Sequence, residues 1–305
     1  MVSLLMLASF LALTQGASAQ DTMPMVVTTQ WLAERLGDRD LVILHVGDDR
    51  SKPTYDAGHI PGAQFVHPWK ELAAPRQEGG GALNLELPPP ELLQATLESK
   101  GISNASRVVV YAADGYNTPT TRTYLTLEYA GLGGRIAVLD GGLEAWKAAG
   151  HPVTAEVPTP AKGSFTLALR PELVVDAAFV HGNVENPKVA VIDARNEEFY
   201  NGRETNQGRN GHIPGARSIP FPSIIDSAGR FKDQATLRTM FAEAGAEPGD
   251  RVVTYCHIGQ QATLVWFGAR LAGFDAVLYD GSFQDWAQRT ELPVVTSAGP
   301  EPRKP

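Results

Sequence analysis

The chain holds one cysteine, Cys256, in 305 residues. It can form no internal disulfide, so it is not a small scaffold held by bridges, and Cys256 has no resolving partner of its own. No Cys/His grouping has zinc spacing, and no metal or organic cofactor is expected. Positive charge is scarce: 26 Lys and Arg stand against 34 Asp and Glu, a formal net charge of −8. This argues against a nucleic-acid partner, which usually meets a basic face. Long apolar runs are missing beyond the N-terminus, so no stable membrane insertion is expected. Residues 4–13 are apolar but too short for a permanent span, and Ala17-Ser18-Ala19 has the form of a cleavage site. Residues 1–19 therefore read as a secretory signal, although no Lys or Arg precedes the apolar stretch. The protein is expected to be exported, periplasmic or secreted. Lipid anchoring is excluded because no cysteine follows the cleavage site.

What is present is enough apolar sequence, 43% of residues with 20% charged, to bury the cores of two ordinary domains. The chain also repeats itself. Gly58-His59-Ile60-Pro61-Gly62-Ala63 recurs as Gly211-His212-Ile213-Pro214-Gly215-Ala216, and Arg107-Val108-Val109-Val110-Tyr111 as Arg251-Val252-Val253-Thr254-Tyr255. Asp140-Gly141 with Trp146 answers Asp280-Gly281 with Trp286. In the second half, short apolar runs at 189–192, 217–219, 251–255 and 276–279 predict strands. Segments 171–181, 234–244, 262–272 and 282–288 predict helices, with Gly273 as a C-cap. Fully apolar strands alternating with helices imply α/β domains, each a small parallel sheet flanked by helices on both faces. The expected domains are 25–150 and 170–296. A Pro-rich linker, 151–169, joins them, and 297–305 forms a tail. Pro-Gly in the repeated hexapeptide suits a type II turn. Its histidines occur in both halves, which favours structural hydrogen bonding.

Cys256 ends the apolar run 251–255 and precedes a helical stretch. There it meets the positive pole of the helix and its unpaired N–H groups, which favours the reactive thiolate. In Cys256-His257-Ile258-Gly259-Gln260-Gln261, Gly259 permits a tight bend. A cysteine phosphatase would need an arginine six positions after the cysteine, where Ala262 stands. A cysteine protease would need a separate His and Asn/Asp constellation, and none is visible near this unit.

On these residues, with Asp193-Ala194-Arg195, the chain resembles the tandem rhodanese-type sulfurtransferases over nearly all of its mature length. The resemblance implies a silent first domain and a second domain whose cysteine carries sulfur as a persulfide. The first half agrees: Ala112 replaces Cys256, Asp114 enters the loop, and His45 and Gly47 stand where Asp193 and Arg195 do. The implied substrate site is Arg195 with His257, Ile258, Gly259, Gln260 and Gln261, and Asp193 is a structural neighbour. Arg195 either grips the donor's anionic group or pairs with Asp193 or Glu197. His257 either carries charge in mild acid or faces solvent. The partners implied are a small anionic sulfur donor, a thiophilic acceptor such as cyanide or a thiol, and a sulfur-acceptor protein as a further candidate. A two-domain monomer is the simplest assembly. The rival reading is a non-enzymatic persulfide carrier. The loop departs from the basic residues common in thiosulfate types and the small ones of mercaptopyruvate types, which leaves the donor open.

Overall fold

The computed structural model describes residues 22–296 except 79, 80 and 116; the signal (1–19) and the tail (297–305) lie outside the described residues. In the first half, β1 (Val26–Val27), β2 (Leu41–Val46), β3 (Gln64–Val66), β6 (Arg107–Tyr111) and β7 (Ile136–Leu139) form a parallel sheet in the order β1-β7-β6-β2-β3. Between them in sequence, β4 (Ala74–Glu78) and β5 (Gly81–Glu86) form an antiparallel hairpin. The second half repeats the sheet with β8 (Val174–Val175), β9 (Val189–Asp193), β10 (Arg217–Ser218), β11 (Arg251–Tyr255) and β12 (Asp275–Tyr279), in the order β10-β9-β11-β12-β8. Reversed, that is the order of the first sheet, and the registers agree. His45 pairs with Tyr111 as Asp193 pairs with Tyr255.

The repeated turns hold as expected. Gly62 and Gly215 take φ of 79° and 75°, and the Ala63 and Ala216 N–H groups close the turns on the Ile60 and Ile213 carbonyls. His59 and His212 are buried. Each uses Nδ1 on a backbone carbonyl, Tyr55 or Tyr200, and stacks on that tyrosine ring.

One expected helix is different. Segment 171–181 divides into a short 3-10 turn (Pro171–Leu173), strand β8 and a helix, Ala177–Asn183. Two β-branched valines find an open sheet edge beside β12, and the Asp176 carboxylate caps the helix by accepting from the Phe179 N–H at 2.8 Å. Segment 151–169 contains no helix or strand, yet it is tied to the first half. Thr154 bridges His59, the Gly163 N–H reaches Glu98, and Phe165 is buried.

Each half has a private core on one face of its sheet, around Trp146 and Trp286. The opposite faces merge into one cluster spanning both halves. Helix Asn117–Leu127 of the first half packs there on helix Gln261–Ala272 of the second, with the Tyr124 and Phe267 rings edge to face at 4.9 Å. Helix Gln261–Ala272 is therefore covered on nearly every side, which explains its continuous apolar sequence. No helix among the described residues is long and apolar enough to cross a membrane.

Candidate active site

In the second sheet the chain runs from β9 outward to β10, then crosses back to β11 on the other side of β9. Between β9 and β11 the connections diverge, and the C-terminal ends of strands at such a switch point are the usual site in these sheets. Asp193 ends β9 there, and Cys256 follows β11.

Cys256 is buried, and its sulfur accepts from the backbone N–H groups of Ala262, Ile258, Gln261 and Gly259. These amides form the expected inward-facing cradle at the start of the twelve-residue helix Gln261–Ala272. Burial nevertheless pushes the thiol up from its ordinary range, against the pull of the amides. The expected preference for thiolate is thus opposed by desolvation. The anion gains its full advantage from the cradle when charge is delivered to it.

Below the loop, the Cys256 N–H donates to Ser282 Oγ at 3.1 Å, and that hydroxyl donates to the Tyr279 carbonyl at 2.9 Å. Ser282 holds φ of 52°, and Gly142 holds 58° at the matching place in the first half. Gly259 takes φ of 79°, and a Cβ there would lie 2.6 Å from the Asp280 carbonyl oxygen, so glycine is required on both counts.

Arg195 is 2% exposed. Its Nε and Nη2 donate to the Asp193 carboxylate, and Nη2 also donates to the Gly211 carbonyl at 2.8 Å. The guanidinium lies over the Phe283 ring at 4.1 Å. This corrects the picture of an open fork awaiting a donor: the fork is committed to Asp193, not Glu197. Its charge still interacts with Cys256. Asp193 also accepts from the Arg195 N–H at 2.9 Å, the structural part expected of it.

His257 is corrected as well. Burial holds its pKa at about 4, with the Arg195 charge acting in the same direction, so it is neutral in mild acid. Its ring meets Phe199 edge to face at 4.5 Å. Gln260 does not face the sulfur as a free donor. Its amide accepts from Trp69 Nε1 at 2.8 Å and donates to Thr118 Oγ1 at 3.2 Å, both in the first half. Ile258 and Gln261 contribute their backbone N–H groups to the cradle.

The sequence reading missed what the first half brings. Arg122, from helix Asn117–Leu127, donates to the Asp280 carboxylate and the Gly259 carbonyl, and Trp69 and Thr118 hold Gln260. The β4–β5 hairpin lies over helix Ser282–Gln288: Asn84 N–H reaches Gln284 at 2.9 Å, and just after the hairpin Leu87 N–H reaches Asp280 at 3.0 Å. One signal was available. In the repeat, Arg122 falls at the position of Trp266, and a position that buries Trp in one copy is a candidate for burial in the other.

Glu86, at the end of the hairpin, is buried, and burial with the nearby Asp280 charge raises its pKa to about 8. Arg76 Nη2 lies 2.8 Å away, but neither Glu86 carboxylate oxygen has an aligned donor. His45 is held at about 4, chiefly by burial. Stability should therefore peak near pH 6.5. Below it, unfolded His45 and His257 bind protons that the folded forms refuse until about pH 4, so stability falls with pH. Above it, folded Glu86 keeps a proton that the unfolded chain releases near 4.5, so stability falls as pH rises toward 8. Calorimetry from pH 4 to 8.5 checks this, and Glu86→Gln should flatten the alkaline limb and steepen the acid one, because the Glu86 contribution runs from about 4.5 to 8.

A buried thiol in an amide cradle at a strand-to-helix turn, on one of two copies of a five-stranded parallel sheet, defines a tandem sulfur-handling protein. The chain belongs to the rhodanese-like domain family, whose model matches residues 28–149 and 176–289. Among curated relatives it is 34% identical to a probable 3-mercaptopyruvate sulfurtransferase of Pseudomonas aeruginosa, over 89% of this chain and 98% of that protein. It is 30% identical to the sulfur carrier protein TtuD of Thermus thermophilus (89% and 96% covered) and 30% identical to a thiosulfate sulfurtransferase of Azotobacter vinelandii (90% and 97%). Among solved structures, the fold matches YnjE with a TM-score of 0.79 at 23% identity, covering 90% of this chain and 69% of that one.

Proposed function

We propose that this sulfurtransferase moves a sulfane sulfur from thiosulfate or a related anionic donor to cyanide or a thiol through a persulfide on Cys256. The observation that carries the reading is the set of four backbone N–H groups on the Cys256 sulfur, opposite a first half with Ala112 in its place. The thiolate attacks the outer sulfur of thiosulfate, the S–S bond breaks, and sulfite leaves with the electron pair. With mercaptopyruvate the C–S bond breaks, and the resulting enolate takes a proton to become pyruvate. Cyanide then attacks the outer persulfide sulfur, and thiocyanate leaves behind the free thiolate. The amides stabilise the anion in each state, and Arg195 adds positive potential from behind its pair with Asp193. Both halves of one chain contribute residues at the Cys256 loop, which suits a monomer.

Mass spectrometry of Cys256 after incubation with each donor tests this reading. One added sulfur on Cys256, followed by steady production of thiocyanate, supports the enzyme. Loading without turnover supports the carrier, a reading favoured by the likeness to a sulfur carrier protein. No loading by either donor overturns both.

Export of the mature chain is part of the proposal and rests on residues 1–19. Those residues fused to alkaline phosphatase should give enzyme activity outside the cytoplasm; an inactive cytoplasmic fusion refutes export.

A further inference from the structure

Arg122 belongs to the half without a cysteine, yet its side chain ends at the loop that carries one. It is 2% exposed. Nη1 donates to the Asp280 carboxylate and lies 3.4 Å from the Gly259 carbonyl oxygen, and Nη2 donates to the Leu85 carbonyl at 2.6 Å. Three segments converge on one guanidinium: the cradle loop, the residue after β12, and the hairpin of the first half. Leu85 pays for its place with φ of 59°, a region that a branched side chain rarely enters. Strain of this kind persists only where the surroundings over-determine it, and here Arg122 is the group that holds the Leu85 carbonyl.

A buried cation needs a partner. Burial works against the Arg122 charge, and Asp280 more than restores it; an ionised Cys256 adds to the effect. Arg122 is thus within electrostatic reach of the sulfur. The Gly259 peptide has a second consequence. Its N–H serves the sulfur, while its carbonyl is taken by Arg122. With the carbonyl so held, its negative end stays off the anion site.

We propose that Arg122 is a positioning residue for Cys256: through the Gly259 carbonyl and Asp280 it fixes the amide cradle and stabilises the sulfur anion, so the cysteine-free half takes part in the chemistry. The proposal rests on the persulfide reading of Cys256.

The test uses the full chain with Arg122→Met, Arg122→Lys and, as an interface control, Thr121→Val. The control removes the 2.9 Å Thr121–Thr263 hydroxyl contact between the same two helices without touching charge. The readouts are the pH midpoint of Cys256 alkylation by iodoacetamide, the rate of persulfide loading from thiosulfate, and kcat and KM. Arg122→Met should raise the midpoint by about one unit and slow loading at pH 7 about tenfold. Arg122→Lys, which keeps the charge but not the fork, should hold the midpoint near wild type and lower kcat with KM little changed. Thr121→Val should match wild type in all three. If Arg122→Met fails to fold, Arg122→Lys alone decides, since unchanged kcat there overturns the positioning role. An Arg122→Met protein with the wild-type midpoint and loading rate, whatever its stability, shows a purely structural residue. A wild-type protein that never loads sulfur removes the persulfide reading instead, a result distinct from either.

Discussion

Cys256→Ser is expected to abolish sulfur transfer, with a loss on the order of 10⁴-fold or more in kcat, and to leave the protein folded. The substitution is nearly isosteric, and the loop amides that meet the sulfur can meet a hydroxyl instead. What disappears is the chemistry. A serine hydroxyl ionises far above neutral pH, and with oxygen in place of the thiol no persulfide can form on the side chain. No second thiol exists in the chain to take over. Thiocyanate production and the mass of the loaded protein should both fall to background while the thermal transition stays in place. A serine variant that still turned over would place the acceptor of sulfur elsewhere and end the present reading of the site.

The second large effect concerns stability. Asp193→Ala leaves the Arg195 guanidinium 2% exposed with its carboxylate gone, retaining the Gly211 carbonyl and the Phe283 ring. Breaking a buried pair from one side typically costs about 3–5 kcal/mol, because the remaining charge stays desolvated. Asp193→Asn, which keeps an acceptor for the Arg195 N–H, should cost less, and Asp193→Ala with Arg195→Met should recover much of the loss. Urea denaturation of the four proteins measures this. Equal stability of Asp193→Ala and wild type would show that the pair contributes nothing. The first half explains why the pair is there: with His45 and Gly47 in these places, the same sheet forms without an ion pair. The scaffold does not require it; the pair stands only in the half that carries Cys256.

The parts legible in the sequence are those set by local chemistry. Strand β11 coincides with its apolar run, Gly273 caps its helix at φ of 92°, and the two Pro-Gly turns follow from residue type alone. The cradle on Cys256 was legible for the same reason, since strand, glycine and helix start lie within a few residues. The contributions of Arg122, Trp69 and Thr118 were not. They reach the loop across the chain, and Thr118, Thr120, Thr121, Arg122 and Thr123 look like a polar surface when read locally. Most of that row is buried, because the helix lies between its own sheet and the other half. The donor-gripping role of Arg195 and the charge on His257 depend on burial, which periodicity does not measure.

The apolar cluster that runs through both halves makes the duplication hard to undo. The first half keeps its sheet without a thiol, since Ala112 fills the place of Cys256 within the same cluster. Removing that half altogether would strip the cover from Trp266, Phe267 and the outer side of their helix, exposing to water the surface that Tyr124 and Leu125 now cover. One copy can do without the thiol, but the other cannot do without the copy, whose cover keeps its helix dry.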